Sequence, residues 1–155
     1  MQKRHFIFEL IAILMILSSG VCRSQQIFSK TYGHFDFNYG KDIINCGTGY
    51  FVLGNSGLNN GNSVPMLIHI DSAGHILKTG FGSSEGIMSA SKFALNGDKL
   101  FVCGNIQNTS TNDYDCFLSI FDTSLVLEKT ITYGGSSWDF SQCIIIKDTL
   151  KIGRA

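Results

Sequence analysis

Apolar residues in this chain fall into short runs separated by clusters of Gly, Asn, Asp and Ser, a pattern of strands and tight turns rather than of helices. Asp42-Ile43-Ile44-Asn45-Cys46 and Tyr50-Phe51-Val52-Leu53-Gly54 flank Gly47-Thr48-Gly49 and predict a β-hairpin. The same device returns as Lys92–Leu95, turn Asn96-Gly97-Asp98, then Lys99–Gly104, and again as Cys143–Ile146, turn Lys147-Asp148-Thr149, then Leu150–Gly153. After each of the first two hairpins comes a polar loop (55–63 and 105–113), then a third strand (66–71 and 117–122) and a fourth (75–79 and 126–132). Asp71 and Asp122 open the turn before the fourth strand, where a carboxylate accepts hydrogen bonds from backbone N–H groups just ahead. Residues 26–32 alternate as a further, leading strand.

An aromatic–Gly pair closes each round, at Tyr32-Gly33, Phe81-Gly82 and Tyr133-Gly134, so the period is near fifty residues. The expected fold is all-β, built from β-propeller-type units of four antiparallel strands, at about the length of a Kelch-type blade. A β-solenoid is the structural alternative. The predicted units are 33–81, 82–133 and an incomplete 134–155, about two and a half blades against the four to eight that close a propeller. A longer parent protein is therefore expected, with the leading strand completing its final blade.

Residues 1–24 read differently. Met1–His5 is basic, Phe6–Leu17 is apolar apart from Glu9, and Ser18–Ser24 is small and polar, the layout of a secretory signal peptide. The apolar stretch is too short for a permanent bilayer span. Cleavage after Ser24 is expected to leave 25–155 as a secreted or cell-surface domain with no stable membrane span. Lipidation at Cys22 is the less favoured route, because Val21 stands where a lipobox carries a small residue. Formal net charge is zero, and cleavage leaves 9 basic against 11 acidic side chains, so nucleic acid is not an expected partner.

Candidate chemistry is sparse. Asp36, Glu85 and Asp139 occupy comparable positions and would share one rim, but regular recurrence suits turns better than catalysis, which needs one convergent pair. His34, His69 and His75 share no repeated position, and no metal-ligand spacing or phosphate-binding glycine loop is present, so no cofactor is expected. Asn59–Asn62 and Asn112–Asp115 are oxygen-rich, without the spacing of a calcium loop. Of the cysteines left after cleavage, Cys103 and Cys116 flank one loop between consecutive strands and form the candidate disulfide. The aromatics behind each glycine are the best ligand candidates. Phe37 and Tyr39 correspond to Trp138 and Phe140, with Ile87 and Met88 between them, and Asp139 stands beside the second pair. Packing between units is the first reading of these side chains. A ligand rim of Trp138, Asp139, Phe140, Phe37 and Tyr39, taking a glycan or a protein at the cell surface, is the second.

Tyr133-Gly134-Gly135-Ser136-Ser137-Trp138-Asp139-Phe140, the hairpins ending in Gly54 or Gly104, and Asp71-Ser72-Ala73-Gly74 resemble the tandem units of bacterial secreted TYGG/DGG-type repeat proteins. The likeness spans roughly residues 26–155. It implies a propeller-like fold and surface export, often through a C-terminal sorting domain not seen here. The family's Asp-Gly-Gly turn is replaced by Gly47-Thr48-Gly49, Asn96-Gly97-Asp98 and Lys147-Asp148-Thr149, which marks a divergent member. The expected role is a non-catalytic scaffold or binding module. The alternative is a fragment of a carbohydrate-active enzyme whose catalytic residues lie outside this stretch.

Overall fold

The structure is a computed structural model and describes residues 29–33, 38–58, 61–84, 86–147 and 149–153. The signal-peptide reading, Cys22, Asp36, Phe37 and Glu85 lie outside these residues. The described chain is all-β, and it contains no helix long and apolar enough to cross a membrane. Strands β1 (Asn38–Asn45), β2 (Gly49–Gly57), β3 (Ser63–Asp71) and β4 (Ile76–Phe81) form one antiparallel sheet in sequence order. A second sheet of the same order follows from β5 (Ile87–Asn96), β6 (Lys99–Asn108), β7 (Asp113–Asp122) and β8 (Leu127–Tyr133). β9 (Cys143–Lys147) and β10 (Thr149–Gly153) make a two-stranded hairpin. No sheet among the described residues closes on itself.

The hairpins form where the sequence puts their turns, and Gly97 takes the left-handed φ of 59° that the Asn-Gly turn requires. The two sheets also share their irregularities. Register slips between Gly40 and Asp42 in β1 and between Ala90 and Lys92 in β5, and again at His69/Ile70 in β3 and Ile120/Phe121 in β7. Each such bulge bends its strand and deepens the local twist.

Two expectations change. The polar segments 55–63 and 105–113 are in part ladder: β2 runs to Gly57 and β6 to Asn108, paired with Ser63–Pro65 and Asp113–Cys116. Asparagine and serine side chains disfavour strands weakly, and a backbone pairing already running from both sides overrides them. The leading strand 26–32 is not found at its described end, since residues 29–33 have no strand partner; residues 26–28 lie outside.

The sheets lie face to face. β5 packs on β1, β2 and β3, and β9 packs in turn on β5 and β6. Between the first two sheets Phe51, Leu53 and Leu67 meet Met88, Phe93, Leu100, Val102, Phe117 and Phe121 in one core. Fully burying such side chains contributes about 1.5–3 kcal/mol each. Asn55 stitches this seam: Ala90 N donates to its Oδ1 at 2.7 Å, and its Nδ2 donates to Ala90 O at 3.2 Å. Lys92 Nζ adds an ion pair to Asp42 Oδ1 at 3.2 Å. At the next seam Asn105 Nδ2 donates to Asp139 O at 2.9 Å, and Ser141 Oγ to Gly104 O at 2.7 Å.

Candidate functional site

Residues 134–142 carry the chain from the edge strand β8 over the end of the second sheet to β9. Tyr114 N–Cα–C sits on β7 opposite Gln107, and its carbonyl accepts from Asp139 N at 2.6 Å. That bond ties the connecting segment to the end of β7, beyond the last pair that β8 makes with it. Successive strand residues point to opposite faces, so Tyr114 projects outward beside this segment while Asp115 turns toward the seam.

Three rings gather there. Tyr114 and Trp138 meet edge-on with centroids 5.5 Å apart. Tyr114 and Phe140 stack at 5.7 Å and 26°. Trp138 and Phe140 lie 6.1 Å apart at 76°. Side chains at alternate positions of an extended segment share one side, which is how Trp138 and Phe140 both reach Tyr114. Trp138 and Phe140 do not fill the seam among the described residues: Trp138 is 59% exposed and Phe140 42%. The seam is filled instead by Ser141, which is buried, and by the cysteine-bearing face of the second sheet. Three contiguous, partly exposed rings form an apolar platform.

On the opposite side of the same strand end, Asp115 helps line a cavity of about 310 Å³ with Gly86, Ile106, Gln107, Asn108, Thr109 and Thr132. Its Oδ1 is buried and no protein donor reaches it. Gly134 passes directly over that oxygen: a Cβ at this position would overlap the Asp115 carboxylate, which would have to turn away. Tyr114 and Asp115 escape a reading of the sequence based on the aromatic–Gly segments, because the third strand brings them to the site. The oxygen-rich run Asn112-Asp113-Tyr114-Asp115 was the only local signal there.

The remaining candidates separate. Tyr39 is 63% exposed but lies on β1, the edge strand of the first sheet, opposite Asn55. Asp139 belongs to the seam through its backbone. Cys103 and Cys116 do not form the expected bridge. None of the four described cysteines is in a disulfide. Cys103 stands opposite Leu118 and Cys116 opposite Asn105, so the two are diagonal rather than facing, at a spacing of about 7–8 Å that a disulfide does not span. Burial pushes the Cys103 thiol above its ordinary value. Comparison of the chain with protein-family models and with curated proteins found no match.

Proposed function

We propose that this chain is part of an exported tandem-repeat protein of propeller type, a divergent relative of the TYGG/DGG-type secreted proteins, and that it is a binding module for glycans. The platform of Tyr114, Trp138 and Phe140 carries the reading. Pyranose rings present a face of C–H groups that stacks on exposed aromatic rings, and clustered aromatics give such a ligand area at little entropic cost. The polar cavity at Asp115, across the strand end, supplies a carboxylate and amide and hydroxyl groups of the kind that bind sugar hydroxyls. The propeller arrangement is supported by two sheets of one strand order, bulged at corresponding pairs and laid face to face, with a third hairpin beginning the same course. Export is supported by the leader pattern of residues 1–24.

Trp138 is the only tryptophan in the chain, so its fluorescence reports on the platform alone. A glycan array should identify a ligand, whose titration shifts Trp138 emission. Trp138→Ala should weaken binding by about tenfold or more, with the fold kept, because stacking on an aromatic contributes roughly 1–1.5 kcal/mol or more. An array without hits, or binding indifferent to Trp138→Ala, would remove the reading.

A further inference from the structure

We propose that Cys46 and His69 form a thiol–imidazole pair, and that Cys46 is the reactive thiol among the described residues, a site for exchange with low-molecular-weight disulfides. Cys46 follows β1 at the mouth of the first hairpin and His69 lies on the central strand β3, yet Sγ stands 3.5 Å from Nε2 of the imidazole. Thr48 Oγ1 lies 3.8 Å from the same sulfur. The pair is held from both sides. Cys46 N donates to Gly49 O at 3.0 Å, and Gly47 N donates to Asn45 Oδ1 at 2.7 Å, which fixes the turn. The His69 ring packs on Phe51 with centroids 4.6 Å apart, on a strand paired along both edges. Cys46 is partly exposed at the rim of the main core, while Cys103 is sealed at 0% exposure.

A nucleophile within reach of a base that is itself oriented by a third group is the arrangement that activates a thiol. With the ring proton on Nδ1, Nε2 accepts the Cys46 proton as Sγ attacks one sulfur of the disulfide. The Sγ–S bond forms, the S–S bond of the reagent breaks, and the departing thiolate takes the proton back from His69 Nε2. Cys46 is oxidised to the mixed disulfide, and the other half of the reagent is reduced to a free thiol. Thr48 can donate to the sulfur while it carries charge.

The test uses the intact protein with oxidised glutathione and site-resolved mass spectrometry. Cys116 and Cys143, of similar exposure, are internal references. Cys46 should form the mixed disulfide about tenfold faster than either, and His69→Gln should lower its rate by about tenfold or more while leaving the references unchanged, the scale of a positioned base acting on a thiol. A Cys46 to Cys116 rate ratio near one in the unsubstituted protein overturns the proposal without any variant. So does a Cys46 rate untouched by His69→Gln when the reference rates stay as they were.

Discussion

Leu125 shows what a single position contributes here. It occupies the place that Gly74 fills in the first sheet, after an Asp that caps the turn. Gly74 N donates to Asp71 O at 3.0 Å, and Leu125 N to Asp122 O at 2.9 Å. Both adopt left-handed backbone, φ 77° for Gly74 and 61° for Leu125. A leucine there is strained by about 1–2 kcal/mol, but its side chain is 4% exposed and belongs to the main core. Truncating a buried leucine costs about 2–5 kcal/mol. Leu125→Gly, although it restores the turn's preferred residue, should therefore lower unfolding stability by about 1–3 kcal/mol in urea titrations; a gain would show that strain outweighs burial. Asp71 makes the complementary case in a charged group. The His75 N–H, the His75 imidazole and the Ala73 N–H hold its carboxyl below the ordinary 3.8. A folded value below the unfolded one favours the native state above the unfolded pKa, and that advantage is lost as pH falls through the folded value. Asp71→Asn should accordingly be less stable than the parent near neutral pH, with the two melting curves converging as acid protonates the carboxyl.

Whole strands are joined across the seams by side-chain amides standing in for ladder bonds. Asn55 offers both its donor and its acceptor to the backbone of Ala90, in a buried setting. Asn105, at the next seam, makes one bond to Asp139 O. Asn55→Ala leaves two backbone groups of β5 unpaired at the bulge, and each unmet buried group costs about 1–3 kcal/mol. Its measured destabilisation should reach about 2–4 kcal/mol and exceed that of Asn105→Ala, expected near 1 kcal/mol. Equal losses would mean that the Ala90 groups find other partners.

At the scale of the molecule, each sheet is a cover for the one before it. Residues 134–147 lie over the outer face of the second sheet, where Cys103, Gly104 and Leu118 are buried. A chain ended at Tyr133 uncovers them together with the unsatisfied Gly104 carbonyl. It should run as dimers or aggregates in size-exclusion chromatography where the full chain runs as a smaller species, because an uncovered apolar sheet face seeks a partner. A well-behaved monomer of residues 1–133 would show that the second sheet does not need its cover.

Local chemistry determined much of this in advance. Glycine and asparagine at the turns, and apolar runs of strand length between them, set the number, order and hairpin pairing of β1 to β8 and the start of a third round at β9. Asp71 and Asp122 were legible because their role is confined to neighbours in sequence. What the tertiary structure decided depends on partners distant along the chain. The ladder extends through Asn105–Asn108 because β7 is there to pair with it, and the side chains give no sign of that. Cys103 and Cys116 stay apart because register, not loop length, sets which residues face each other. Trp138 and Phe140 are exposed on Tyr114, and Cys46 stands beside His69, because strands 23 or more residues apart are brought into contact by sheet pairing and folding over. A periodic sequence specifies its strands one unit at a time; which side chains meet is fixed only when the units are assembled.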